Sequence, residues 1–223
     1  MSDLPAPVRE RLARDGFVVV QSDRVLESRE EFLLDLATAL GQPCVTRNRK
    51  SLIDHLRPES AKDARPRSMS AMHGKGQFPW HSDGAHWPVP PQYILLACVS
   101  GLPGCASTDV SPMEDFLAFG SGAATDELFA VTNGRRSFYS PMLSGSRPYI
   151  RHDPCCMTPL TEEGGRLQAA VSESAEQRFS RIQWAPGTVA IIDNWRCLHR
   201  RSAGSDEDCD QRHLVRITVM NPT

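Results

Sequence analysis

Phe78-Pro79-Trp80-His81-Ser82-Asp83-Gly84 sets an imidazole and a carboxylate two residues apart, just upstream of a strand-like run. In extended backbone, residues i and i+2 point to one side, so His81 and Asp83 can offer a nitrogen and an oxygen to a single ion. A third donor, His199, follows Ile191-Ile192-Asp193-Asn194-Trp195-Arg196-Cys197-Leu198, where an apolar strand ends in a polar turn. Two histidines and one carboxylate form a facial triad, the arrangement that holds non-haem Fe(II) with positions left open. His and Asp also bind zinc in catalytic sites, but the chain has no His-Glu-x-x-His helix to supply the usual acid-base glutamate. His55, His73, His86, His152 and His213 lack a comparable pairing. His86, five residues after His81, reads either as a contact near the site or as an ordinary hydrogen-bonded histidine.

The last strand-like run, Arg212-His213-Leu214-Val215-Arg216-Ile217-Thr218-Val219, puts 212, 214, 216 and 218 on one face and Val215, Ile217 and Val219 on the other. The two arginines then share a side, with Cα atoms about 13 Å apart, which suits two anionic groups rather than one. Facing inward they require acids, from protein or ligand, because a buried unpaired cation is costly; facing outward they are solvated.

Positioning these side chains falls to a mixed set of elements. Gly16 to Val20 reads as a buried strand, and Ser28 to Leu40 as a helix with apolar residues at 32, 33, 36, 37 and 40, Ser28 and Glu31 standing in capping-box register. Gly41-Gln42-Pro43 ends that helix. Residues 44 to 76 are polar and without period, hence loop with short pieces of structure, either plain surface or a lid near the site. Pro88-Val89-Pro90-Pro91 forces an extended or turning path into a buried strand from Gln92 to Ser100. Residues 112 to 132 read as helical, with Met113, Phe116, Leu117 and Phe119 on nearby faces, and 147 to 152 as extended. The string from Thr158 to Gly165 opens a helix reaching about Phe179. Pro186-Gly187 is a turn before the strand Thr188 to Ile192, 206 to 210 an acidic hairpin or loop, and 212 to 220 the final strand. Strands dominate the second half, so the expected fold is mainly β with peripheral helices (α+β), a barrel or sandwich and not an alternating βαβ array.

A length of 223 residues suits one domain over 1–223. The formal net charge of −2 argues against nucleic acid or anionic membrane as the main partner and leaves a small molecule as the default ligand. Seven cysteines form an odd set without framework spacing, and adjacent Cys155 and Cys156 are poorly placed for a mutual bridge, which suits reduced thiols. The start of the chain has no basic segment followed by an apolar core, and the longest apolar run, Tyr93 to Val99, is far too short for a bilayer. A soluble, cytoplasmic protein is expected. Nothing in the pattern sets an oligomeric state.

Taken together, these residues resemble the Fe(II)/2-oxoglutarate oxygenases of the taurine dioxygenase and clavaminate synthase group. The likeness runs from the strand and helix of Gly16 to Pro43, through Trp80-His81-Ser82-Asp83-Gly84, to Ile192-Asp193-Asn194-Trp195-Arg196-Cys197-Leu198-His199-Arg200 and Arg212-x-x-x-Arg216. The resemblance implies a double-stranded β-helix (jelly-roll) core. It implies that His81, Asp83 and His199 bind Fe(II), and that Thr108, 27 residues after His81, helps bind the 2-oxoglutarate carboxylate. It further implies that Arg212 pairs with the distal carboxylate of 2-oxoglutarate and that Arg216 contacts an anionic group of the substrate. The span from Asp83 to His199 is shorter than in taurine dioxygenase, so contacts made by that insert do not transfer. The stretch 147 to 154 is closer to the clavaminate synthase and amino-acid hydroxylase branch, with Arg151 and Asp153 either substrate residues or a structural pair.

The implied activity consumes dioxygen and 2-oxoglutarate, releases succinate and CO2, and hydroxylates an unactivated C–H of an amino acid or small carboxylate-bearing metabolite such as a natural-product intermediate. Desaturation and cyclisation are related outcomes; an aspartate at position 83 leaves no place for a halide. Two other readings use the same residues. One is a non-oxidative zinc or manganese metalloenzyme, the other a noncatalytic metal or small-acid sensor.

Overall fold

The computed structural model describes residues 4–46, 51–66, 68–102, 104–118, 122–134, 136–143, 149–204 and 211–220. In chain order the elements are α1 (Ala6–Asp15), β1 (Phe17–Gln21), α2 (Arg24–Glu27), α3 (Arg29–Leu40), β2 (Gln42–Cys44), β3 (Asp54–Leu56), α4 (Met69–His73), β4 (Tyr93–Ser100) and β5 (Thr108–Pro112). They continue with α5 (Glu114–Ala118), α6 (Gly122–Asp126), β6 (Leu128–Asn133), β7 (Arg136–Pro141), β8 (Met157–Pro159), α7 (Glu162–Gln177), β9 (Ser180–Ile182), β10 (Thr188–Asp193), β11 (Cys197–Arg201) and β12 (His213–Met220).

The largest sheet runs β1-β10-β4-β12-β2, with β3 also paired to β12, and all its pairings are antiparallel. Both of its faces are covered, which is why β4 and β10 read as apolar runs rather than as alternating strands. Residues Tyr93, Leu95, Ala97, Val189, Ile191, Val215, Ile217 and Val219 pack under the helices against Leu12, Val25, Leu33, Ala37 and Leu40. Their neighbours Ile94, Leu96, Cys98, Ala190, Ile192 and Leu214 turn the other way, toward the second sheet, β11-β5-β9. Each aliphatic side chain buried in this way contributes about 1.5–3 kcal/mol. The core that holds β12 in register therefore also fixes which of its residues face the interior between the sheets. A third sheet, β7-β6-β8, packs with α7 through Phe129, Val131, Met157, Leu167 and Val171.

These antiparallel sheets form the β-rich jelly-roll with peripheral helices that the sequence pattern and resemblance point to. Two local readings are corrected. The stretch 112 to 132 is not one helix: it forms α5 and α6, and 128 to 132 belong to strand β6. Burial there alternates, with Phe129 and Val131 inside and Leu128 and Thr132 exposed, and β6 is paired on both edges, so period 2 prevails. The overlooked signal is Asn133-Gly134, a hairpin turn with Gly134 at φ 63° joining β6 to β7. The capping box at Ser28 is not formed either. Ser28 makes no side-chain cap because it also ends α2, its N–H bonding to the Arg24 carbonyl. The α7 helix begins at Glu162, since Met157–Pro159 pairs with β6, and Thr161 caps it by accepting from the Gly164 N–H at 2.9 Å. The acidic stretch 206 to 210 lies outside the described residues, as do 147 and 148.

Candidate metal centre

The two histidines meet through the backbone. His81 and His199 form an isolated antiparallel bridge, with His81 N–H to His199 O at 3.0 Å and His199 N–H to His81 O at 2.9 Å. Paired residues project to the same side, and the two rings stand 4.5 Å apart. Asp83 Oδ1 lies 3.7 Å from His81 Nε2 and 3.8 Å from His199 Nε2. His81 Nδ1 is 2.9 Å from the Pro79 carbonyl, which only a protonated Nδ1 can satisfy, so its Nε2 lone pair faces the site. Burial pulls His199 down to about 3, with the neighbouring His81 adding to the effect, so this ring is neutral at physiological pH. Among the described residues, these three donors form the one cluster within metal-binding reach. Two imidazole nitrogens and a carboxylate oxygen fit a divalent transition metal.

Asp83 is held from three directions. Its N–H donates to Asn194 Oδ1 at 2.8 Å, and Asn194 Nδ2 donates back to the Asp83 carbonyl at 3.0 Å and to the Pro91 carbonyl at 2.8 Å. The chain then turns at Gly84, whose φ of 71° and contact with Pro91, where an added Cβ would stand 2.6 Å from Cδ, admit no side chain. Arg216 Nη1 donates to Asp83 Oδ2 at 2.7 Å, leaving Oδ1 for the ion, while its Nη2 donates to Asp54 Oδ2 at 2.8 Å. Burial alone works against the Arg216 charge, yet Asp83 and Asp54 outweigh it and leave the guanidinium above its ordinary value. The turn beyond Gly84 is clamped by Arg151, a fully buried cation that donates to the carbonyls of Ala85, Trp87 and Pro88 and to the Tyr149 hydroxyl.

Behind the histidines a second set of charges braces the bridge. Trp80 and Arg200, the neighbours of the bridged pair, project to the opposite side, and the Arg200 guanidinium sits 4.3 Å over the Trp80 ring. Arg200 donates to Glu176 and to the buried Asp109, and the Trp80 indole N–H donates to Glu176 at 2.9 Å. Hydrogen bonds from Arg200 and then Trp80 hold the Glu176 carboxyl below its usual range.

His81, Asp83, His199, Thr108, Arg212 and Arg216, the six residues singled out by sequence, line one cavity. Arg216 in β12 and Arg212, which directly precedes that strand, are both buried, 8% and 6% exposed. Arg212 Nη1 donates to the Ala106 carbonyl at 2.9 Å. Residues Arg57, Glu59, Met69 and Ser70, from the segment read as loop or lid, form the outer wall together with Phe78. Arg151 and Asp153 do not pair: Asp153 accepts from the Cys155 N–H at 2.8 Å and from the Cys156 thiol. His86 lies against Trp87 and is not part of the cavity wall. Sequence reasoning missed Asn194, Asp54, Trp184 and the Arg200 brace. Asn194 alone had a local signal, an amide in the turn between two buried strands.

The fold is thus a jelly-roll in whose cavity two histidines and one carboxylate converge. Residues 124–218 match the family described as Taurine catabolism dioxygenase TauD, TfdA family, the group that the sequence resembles; the match takes in His199, Arg212 and Arg216. No curated protein matches the chain in sequence. Among solved structures, asparagine oxygenase in complex with Fe(II), 2S,3S-3-hydroxyasparagine and succinate is similar at a TM-score of 0.78 and 20% identity, over 97% of this chain and 80% of that one. The non-heme iron oxygenase OrfP in complex with Fe and alpha-ketoglutaric acid is similar at 0.72 and 21%, over 98% and 81%. OrfP with Fe, succinate and (3S)-hydroxy-L-Arg gives 0.73 and 19%, over 98% and 82%. At these identities the likeness establishes the fold. No helix among the described residues is long and apolar enough to cross a membrane.

Proposed function

We propose that the chain is an Fe(II)- and 2-oxoglutarate-dependent oxygenase that hydroxylates an unactivated C–H of an amino acid or similar small carboxylate-bearing metabolite, releasing succinate and CO2. The observation that carries this reading is the single cavity in which the triad stands beside Thr108, Arg212 and Arg216. The neighbours crystallised with hydroxyasparagine and hydroxyarginine support an amino acid as the substrate class.

His81 and His199 would hold Fe(II) through Nε2, and Asp83 through Oδ1, the atoms that converge at the site. Iron, once bound, supplies the oxygen activation that no side chain provides. Arg212 takes the distal carboxylate of 2-oxoglutarate, and Thr108 a cosubstrate carboxylate oxygen. Arg216, balanced by Asp54 and Asp83, offers the substrate carboxylate its remaining donor edge. The chain works as one domain, and the six free thiols among its described cysteines suit a cytoplasmic setting.

Anaerobic protein mixed with Fe(II) and 2-oxoglutarate is expected to show the weak visible charge-transfer band of the chelate. Screening amino acids and small acids in air should then find one that drives succinate formation and gains an oxygen atom by mass. No band, together with tight retention of zinc, overturns the reading in favour of a non-oxidative metalloenzyme.

A further inference from the structure

Thr108 opens β5 at the cavity wall, and its partner across β9 is Ile182. Two residues beyond Ile182, Trp184 is buried among Leu96, Cys98 and Leu214, and its indole Nε1 stands 3.0 Å from Thr108 Oγ1. An indole N–H only donates, whereas a hydroxyl carries one proton and two lone pairs. Trp184 therefore commits Thr108 Oγ1 as an acceptor, and among the described residues no group accepts the Thr108 proton in return. A buried hydroxyl with an unspent proton is costly to leave dry, yet Thr108 is only 5% exposed. Thr108 lines the cavity, where Arg212 already presents a cation and donates to the Ala106 carbonyl two residues away.

We infer that Trp184 is a positioning residue for the dicarboxylate cosubstrate: by donating to Thr108 Oγ1 it turns the hydroxyl proton into the cavity, toward a carboxylate oxygen. This rests on the reading of Thr108 as a cosubstrate contact. Without the indole N–H the hydroxyl rotates freely, and a threonine that has spent its proton elsewhere meets the carboxylate lone pair to lone pair.

The test is a double-mutant cycle on cosubstrate affinity, read without turnover. Anaerobic Fe(II)-loaded wild type, Trp184→Phe, Thr108→Val and the double variant are titrated with 2-oxoglutarate by following the visible band. Trp184→Phe is expected to weaken binding about 5–10-fold and Thr108→Val about 10–30-fold, with the double variant matching Thr108→Val alone. Factors that multiply in the double variant show that Trp184 acts through packing, and overturn the inference. Weakening by Thr108→Val with none by Trp184→Phe overturns it while sparing the role of Thr108. Wild-type affinity in Thr108→Val overturns both, and absence of a band in the wild type overturns the oxygenase reading beneath them. Should Trp184→Phe not fold, the indole N–H resonance of Trp184 is followed in Zn(II)-loaded wild type as 2-oxoglutarate is added. A shift that disappears in Thr108→Val is expected; a resonance unmoved at saturation overturns the inference.

Discussion

The ladder that carries the His81, Asp83 and His199 cluster and the segment that covers the cavity are built on opposite plans. On the ladder, residues 80 to 83 and 193 to 200 are mostly buried, their backbones are paired, and charges brace them from both sides. The covering segment from 57 to 78 contains, among its described residues, one five-residue helix with no buried residue, and Met72 there is 49% exposed. Arg201 ties it down by donating to the carbonyls of Gly74 and Gly76, and lies 3.8 Å over the Phe78 ring. On the proposed function, such a division would place metal and cosubstrate chemistry on rigid sheet and leave the outer wall free to suit one substrate or another.

That contrast can be broken from either side. Asp83→Ala, which removes a donor and leaves Arg216 with one buried carboxylate, should lower Fe(II) affinity by more than about 100-fold and abolish coupled succinate production; retained iron would place the metal elsewhere. Arg212→Ala removes a charge pair at a dry site, about 2–5 kcal/mol, and so should raise the half-saturating 2-oxoglutarate concentration by roughly 30-fold or more. If Arg216→Ala alone does so, the roles of the two arginines are exchanged. Arg151→Met orphans three carbonyls beside Gly84 and should cost about 2–4 kcal/mol, seen as a melting temperature lower by roughly 5–15 °C.

Asp193 sharpens the comparison through pH. Burial raises its folded value to about 6, above that of an unfolded aspartate, so the protonated acid is favoured in the fold. Its contribution is full below about pH 4 and is lost as pH rises through about 6, on the order of 3 kcal/mol. Denaturation of Asp193→Asn across this window should show a flatter pH dependence than the wild type. An unchanged slope would assign the titration to another group. The smallest effect is expected from the cover: Arg201→Leu should raise the KM of the prime substrate about 3–5-fold, with Fe(II) and 2-oxoglutarate affinities unmoved. A matching loss of iron would show that cover and ladder are one unit.

The same division explains which features the amino-acid sequence makes legible. His81 and Asp83 are legible because two-residue spacing in extended chain has one geometric meaning, and the arginine face of β12 because Val215, Ile217 and Val219 mark the opposite face as aliphatic. The jelly-roll core follows from the family resemblance and from strands whose both faces are apolar. Asp54 is not legible, since its register with Arg216 is set by a three-residue strand inside a polar stretch. Nor is Trp184, which meets Thr108 across a pairing of only three residues. Phe116 does lie in a helix, but α5 spans only Glu114–Ala118, and the tertiary pairing of β6 decides 128 to 132.

The backbone bridge between His81 and His199 has a thermodynamic consequence. The two ligands lie 118 positions apart, and in a chain assembled around its metal the ion itself would have to close that loop. Here closure is accomplished by sheet formation, so ligand binding energy goes into affinity and selectivity instead of chain ordering. If the proposed site holds a metal, its chelation should therefore leave a folded apoprotein that reloads reversibly.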